Sequence, residues 1–173
     1  WDHPLRFLYA GQMSLRKGIP TLLEAWEAAG LREARLDLVG VWQLAKGKMA
    51  SLPRGVTLWP PCSREALRER YRLADVFLFP SFFEGFGLVL LEAMACGLPA
   101  MATEATAGPD VLTDSCGRLV PRGNLEAMVG ALRWFQTHQG EVPLMAQAAR
   151  VQATKFTWEN YRRSVSEAVA PFV

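Results

Sequence analysis

A chain of 173 residues, half of them hydrophobic and 21% charged, with 14 Gly and 11 Pro scattered along it, has the composition of one folded domain. That composition excludes coiled coil, collagen and intrinsic disorder. Nineteen Lys plus Arg against 17 Asp plus Glu leave a formal charge of +2, too small a bias to indicate nucleic acid or an anionic membrane as partner.

Short apolar runs of strand length alternate with longer stretches of helical spacing. The first strand is read at Arg6 to Ala10, followed by a helix from Ile19 to Ala29 with Leu22, Leu23 and Trp26 on one face and Pro20 in its first turn. Leu36 to Gly40 and Val56 to Trp59 are the second and third strands. Ser63 then caps an amphipathic segment, SREALRERYRLA, whose charges form a solvated face, and Asp75 leads into a fourth strand from Val76 to Phe79. An apolar helix covers Gly87 to Ala95, and two further strands fall at Ala100 to Ala102 and Arg118 to Val120. Asn124 caps the next helix, which carries a stripe of Leu125, Met128, Val129, Leu132 and Phe135 and ends at Gly140. Another helix runs from Pro143 to Thr154. The last starts at Thr157 as cap, with Trp158, Tyr161, Val165 and Ala168 at helical spacing. Strands apolar on both faces and separated by helices call for an α/β fold: a doubly wound, Rossmann-like parallel sheet of about six strands, with helices on both faces and extra C-terminal helices.

Several classes of chemistry lack their residues. Cys62, Cys96 and Cys116 are odd in number and form no C-x-x-C pair, which argues against a disulfide framework or a zinc site. The only histidines, His3 and His138, lie near no nucleophile motif, so a triad hydrolase has nothing to work with. The apolar run from Leu88 to Met101 is interrupted by Glu92, Gly97 and Pro99, too short and polar for a bilayer span. WDHPLRFLYAG lacks the basic start and cleavage site of a signal peptide, and a cytoplasmic location is expected.

Ligands of open parallel sheets bind at the carboxyl ends of the strands, which directs attention to two loops. After strand one, AGQMSLRKGIP places Gly11 and Gly18 around Gln12, Arg16 and Lys17 at a helix start. Paired cations beside free backbone N–H groups suit a phosphate, although a solvated basic loop reads the same way. The segment has neither the G-K-[ST] ending of a Walker loop nor a G-x-G-x-x-G turn. After strand four, PSFFEGFGLVLLEAMACGLP turns on Gly85, Phe86 and Gly87 and enters a helix at Leu88 that is apolar except for Glu92. Such a helix is expected to be buried on every side, and a carboxylate there needs donors: either ligand hydroxyls or a buried arginine. Glu84 lies eight residues earlier on the loop, facing the cleft or standing as an exposed loop acid. Two carboxylates flanking a glycine-rich helix N-terminus fit a ligand with hydroxyls at both ends and anionic oxygens between, and a nucleoside diphosphate sugar is such a molecule.

The stretch from Pro80 to Pro99 resembles the E-x7-E region of the retaining glycosyltransferases of family 4, which have the GT-B fold, with Glu84 and Glu92 as its two glutamates. GQMSLRKG is similar to that family's phosphate loop: Lys17 and Gly18 match, Gln12 stands in place of an arginine, and Arg16 is the candidate to substitute for it. VTLWPPCSREALRERYRLADVFLFPS resembles the segment whose loop contacts the nucleobase, which implies contacts from backbone atoms of Pro61 and Cys62, with Pro60 at the family's glycine. The likeness continues through GPDVL, GRLVP and FTWENYRR, where Gly108, Pro109 and Asp110 resemble a sugar-side loop, a helix cap being the other reading of Asp110.

The resemblance implies that residues 1–173 are the donor-binding, C-terminal domain of an enzyme that moves a sugar from a nucleotide donor such as a UDP-sugar, with retention at the anomeric carbon. It implies no metal and no cofactor, the donor being a substrate and its phosphates being neutralised by Lys17, Arg16 and N–H groups. Glu84 would be the catalytic glutamate on the sugar side, mattering only when sugar is present, while Lys17 reads as an exposed loop lysine with few packing contacts. The acceptor, a sugar, lipid or other small molecule, would come through an N-terminal domain absent from this chain, so the domain alone binds donor without turnover. Peripheral membrane association of the full-length enzyme is compatible with this. Two other readings use parts of the same pattern: a non-catalytic nucleotide-sugar binding module or sensor, and a dinucleotide-dependent oxidoreductase, which the second strand's ending in Val39 and Gly40 without an acid disfavours.

Overall fold

The computed structural model describes residues 3–45 and 51–172. Among these, six strands form one parallel sheet: β1 (Arg6–Ala10), β2 (Arg35–Val39), β3 (Val56–Trp59), β4 (Val76–Phe79), β5 (Ala100–Thr103) and β6 (Gly117–Val120). The helices between and after them are α1 (Ile19–Ala29), α2 (Arg64–Leu73), α3 (Leu88–Ala95), the short α4 (Gly108–Val111), α5 (Leu125–Thr137), α6 (Val142–Ala153) and α7 (Trp158–Val169). No described helix is long and apolar enough to cross a membrane.

Alternation along the strands sorts the core into two layers. Phe7 and Tyr9 of β1, Leu36 and Leu38 of β2, and Val76 and Leu78 of β4 pack with Ile19, Leu22 and Trp26 of α1 and Met128, Leu132 and Phe135 of α5. Leu8, Ala10, Val39, Phe77 and Phe79 face the other way, onto Tyr71 of α2, Leu90, Ala93 and Met94 of α3, and Val111 of α4. Strands buried on both faces are what a sheet covered by helices on each side requires. At the edge, β3 is only half buried on alternate residues.

Strand order is β3-β2-β1-β4-β5-β6, so the winding reverses between β1 and β4. Phe7 of β1 is paired with Leu36 on one side and Val76 on the other. The loops leaving the carboxyl ends of β1 and β4 therefore lie at the switch point of the sheet, the place where doubly wound sheets bind ligands in a crevice.

Two local expectations are corrected. The helix capped by Asn124 stops at Thr137 rather than Gly140, because a 3-10 turn at Gln139–Glu141 intervenes before α6. Asp110 is not a cap: Ala107 holds that position of α4, and Asp110 lies in its first turn. The last helix starts behind its Thr157 cap as expected, and its stripe of Trp158, Tyr161, Val165 and Ala168 is exposed, α7 having no buried residue.

Candidate functional site

Two helices open onto the crevice from glycine N-caps, whereas three others use side-chain caps. Ser63, Asn124 and Thr157 cap α2, α5 and α7 by accepting from the N–H three residues on. α1 and α3 begin instead at Gly18 (φ 71°) and Gly87 (φ 89°), with no side-chain cap at either. Both glycines are required by space as well as by φ. A Cβ on Gly18 would lie 2.0 Å from the Pro80 carbonyl oxygen, and one on Gly87 would lie 2.5 Å from the Phe79 ring. The first-turn N–H groups and positive dipole end of α3 are thus left available to an outside acceptor.

Across the crevice the two signature loops are tied together. Phe82 N–H donates to the Arg16 carbonyl at 2.8 Å, and the Arg16 guanidinium donates to the Phe83 carbonyl at 3.1 Å. These bonds bring Lys17 Nζ onto Glu84 Oε1 in a direct ion pair. Arg16 stands 3.9 Å from the other oxygen, Glu84 Oε2. The Ser81 hydroxyl donates to Glu84 Oε1 at 2.8 Å, and the Glu84 N–H donates to the Ala105 carbonyl at 3.1 Å. The side chains of Lys17 and Glu84 are only 15% and 9% exposed, which corrects the reading of Lys17 as an exposed loop lysine and removes the reading of Glu84 as an exposed loop acid.

Beneath the cluster, Tyr9 is buried and its hydroxyl donates to the Gln12 carbonyl at 2.7 Å, fixing the start of the β1 loop. Burial, helped by the Glu84 charge, pushes the Tyr9 phenol well above its ordinary range, so it remains a donor. Gly11 and Gln12 are exposed at the loop's mouth, and Gln12 contributes a carbonyl rather than a side chain to the contacts seen.

Glu92 departs from expectation. Leu88, Glu92 and Ala95 follow one another at i, i+4 and i+7 on α3, and all three are exposed, Leu88 at 52%. The helix is buried on one side only, by Leu90, Ala93 and Met94. Among the described residues no salt bridge reaches Glu92, so the buried arginine partner is not present. Its carboxylate instead faces the electrostatic neighbourhood of Tyr71, whose phenol is pushed up first by burial and then by Glu92, Cys96 and Cys62. The Tyr71 hydroxyl is buried and has no hydrogen-bond partner. Pro61 and Cys62 are exposed between the carboxyl end of β3 and the cap of α2. Gly85 and Phe86 are exposed on the loop before α3.

The structure therefore joins Arg16, Lys17 and Glu84 directly, with the α3 N-terminus at Gly87 and Leu88 beside them, while Glu92 and the Pro61–Cys62 loop occupy neighbouring positions along the same edge. Sequence reasoning missed Ser81, Thr103, Tyr9 and Tyr71. Ser81 and Thr103 are the buried polar residues of the described chain, and a lone polar residue at the end of an apolar strand was the signal available. A separate cleft of about 660 Å³ lies at the opposite, amino-terminal end of the sheet, lined by Arg32, Glu33, Arg35 and Gln136 among others. It is remote from both glycine-started helices and from the ion cluster.

Comparison with known proteins places this architecture. The sequence pattern of the family described as "Glycosyl transferases group 1" matches residues 4–138. The chain is 32% identical over 169 residues to O-antigen chain mannosyltransferase B of Escherichia coli, covering 88% of this chain and 42% of that protein. It is 33% identical over 180 residues to D-inositol 3-phosphate glycosyltransferase of Xylanimonas cellulosilytica, covering 98% of this chain and again 42% of the relative. Among solved structures, sucrose-phosphate synthase from Thermosynechococcus elongatus superposes with a TM-score of 0.81 at 28% identity, over 99% of this chain and 46% of that one. The chain thus spans less than half the length of these proteins, and its fold is that of their GT-B architecture. From the match over residues 4–138, the chain belongs to the glycosyl transferases group 1 family.

Proposed function

We propose that this chain is the donor-binding domain of a sugar-transferring enzyme and that it takes a nucleoside diphosphate sugar, with UDP as the first candidate carrier, into the crevice between β1 and β4. The observation that carries the reading is the Arg16–Lys17–Glu84 cluster beside the uncapped start of α3. Two cations and the N–H groups at the start of α3 converge there, and the Glu84 carboxylate between the cations shows that the place suits an anion.

In this reading the diphosphate lies between Lys17, Arg16 and the N–H groups at Gly87 and Leu88. Their charge is present before reaction begins, so it stabilises the developing negative charge on the departing diphosphate without a bound metal. Glu84 accepts hydrogen bonds from the sugar hydroxyls and Glu92 from the ribose, its exposure on α3 leaving it accessible to them. Backbone atoms of Pro61 and Cys62 meet the base. The bond from the anomeric carbon to the diphosphate oxygen breaks, a bond to the acceptor oxygen forms on the same face, and the acceptor's hydroxyl proton passes to the departing diphosphate oxygen. The acceptor, a sugar, lipid or other small molecule, enters from a further, acceptor-binding domain across the crevice. The exposed apolar stripe of Trp158, Tyr161, Val165 and Val169 supports a further domain as neighbour. A cytoplasmic enzyme, with at most peripheral attachment to a membrane, completes the proposal.

Calorimetry of the 173-residue chain in a chelating buffer, against UDP, GDP, ADP, UMP and NAD, tests it. The proposal expects a nucleoside diphosphate to bind more tightly than UMP or NAD. Equal or tighter binding of NAD, or no binding of any diphosphate, contradicts it.

A further inference from the structure

Burial of a hydroxyl away from water is unfavourable unless the group is hydrogen-bonded, so buried polar side chains mark places where orientation matters. In the described chain those residues are Ser81 and Thr103, each fully buried. They belong to one continuous run of hydrogen bonds. Gly108 N–H at the start of α4 donates to Thr106 Oγ1 at 3.0 Å, and that hydroxyl donates to the Thr103 carbonyl at 2.8 Å. Thr103 Oγ1 donates to the Ser81 carbonyl at 2.5 Å, and Ser81 Oγ donates to Glu84 Oε1 at 2.8 Å. The run ends on the carboxylate that also holds Lys17 and stands near Arg16.

Resting on the donor-site reading above, we propose that Ser81 is a positioning residue for Glu84, itself held by Thr103. The need for it follows from the ion cluster. Once a diphosphate engages Lys17 and Arg16, Glu84 loses the hold of both cations, and its side chain regains rotamers that point away from the sugar. The Ser81 hydroxyl has no role in binding phosphate and remains bonded to Oε1. It keeps the carboxylate aimed at the sugar when the cations have turned to the diphosphate. Thr103 fixes the Ser81 backbone from the neighbouring strand, and the Glu84 N–H bond to Ala105 fixes the loop from the same side.

The test is a double-mutant cycle on the 173-residue chain, read as the ratio of affinities for a nucleotide sugar and its free diphosphate. UDP-glucose with UDP and GDP-mannose with GDP are the probes, and the pair that the wild type binds more tightly is followed. Ser81→Ala is expected to weaken nucleotide-sugar binding about five- to tenfold while changing diphosphate binding less than about twofold. In a Glu84→Ala background the same substitution is expected to have no further effect on the ratio, since its target is gone. An additive loss in the two backgrounds, or a wild-type ratio in Ser81→Ala, overturns the positioning role while leaving the donor site standing. Failure of the wild type to bind either diphosphate overturns the donor site, and the role of Ser81 with it.

Discussion

The ammonium of Lys17 and the carboxylate of Glu84, 67 residues apart in sequence, meet where the sheet reverses its winding, so the loops after β1 and β4 are joined by an ion pair. Both side chains are largely shielded from solvent, and removing Lys17 therefore leaves Glu84 with only Arg16, 3.9 Å away, as a cation and the Ser81 hydroxyl as a donor.

Lys17→Ala is accordingly expected to act twice. It removes a charge-assisted contact to the diphosphate, weakening UDP binding about ten- to a hundredfold. It also strands the Glu84 carboxylate, lowering stability by about 1–3 kcal/mol, several degrees in Tm for a domain of this size. The double variant Lys17→Ala/Glu84→Gln is expected to recover much of that melting temperature without recovering UDP affinity. Thermal melts and calorimetry of the single and double variants separate the two effects.

Glu92 is expected to behave in the opposite manner. Because it is exposed and makes no salt bridge among the described residues, Glu92→Gln is expected to change stability by less than about 0.5 kcal/mol. Binding of UDP and of its sugar conjugate is expected to fall together, about fivefold to tenfold each, through weakened ribose hydrogen bonds. A loss confined to the sugar conjugate would assign Glu92 to the wrong end of the donor.

Asp75 gives a pH-dependent expectation away from the site. Its Oδ2 accepts from the Arg6 N–H at 2.7 Å, and burial, only partly opposed by that bond and by His3 and Arg6, raises its carboxyl above the ordinary 3.8. A raised native value means the folded state binds the proton more tightly than the unfolded one. Asp75 therefore contributes most below 3.8, and its contribution declines as pH rises through the native value. Asp75→Asn keeps an acceptor and carries no charge, so its stability relative to wild type is expected to improve between pH 3 and pH 6. Denaturant melts across that interval would show a flat difference if burial did not dominate.

Gly18→Ala tests the geometry of the crevice itself. The substitution forces an L-residue to φ 71° and drives a Cβ to 2.0 Å from the Pro80 carbonyl. A destabilisation of about 3 kcal/mol or more is expected, read by chemical denaturation. A change under about 1 kcal/mol would mean that the β1 and β4 loops are not locked together as described.

These particulars show what the sequence makes legible. The edges of β1, α1, β3 and β4 follow from apolar runs with Gly and Pro punctuation, and they appear where that pattern places them. The face of α3 that carries Leu88, Glu92 and Ala95 does not follow, because leucine and alanine at a ligand cleft read the same as leucine and alanine in a core. The α7 stripe is legible as a helix face but not as an exposed one, because amphipathic spacing marks a surface to be covered and does not supply the cover. Glu84 and Lys17 are each visible in their own motif. Their pairing is not, since it arises from the reversal of strand order, which no local pattern records.

The central claim is that Lys17 and Arg16 serve a diphosphate that competes with the Glu84 carboxylate for them. It is tested most directly by measuring UDP affinity, in a chelating buffer, for wild type, Lys17→Ala and Glu84→Gln. Neutralising Glu84 frees the cations that the sequence did not show it to hold, so the expectation that Glu84 matters only with sugar present gives way: Glu84→Gln is predicted to bind UDP about three- to tenfold more tightly than wild type, and Lys17→Ala at least tenfold more weakly. Equal UDP affinity in wild type and Lys17→Ala would contradict the account.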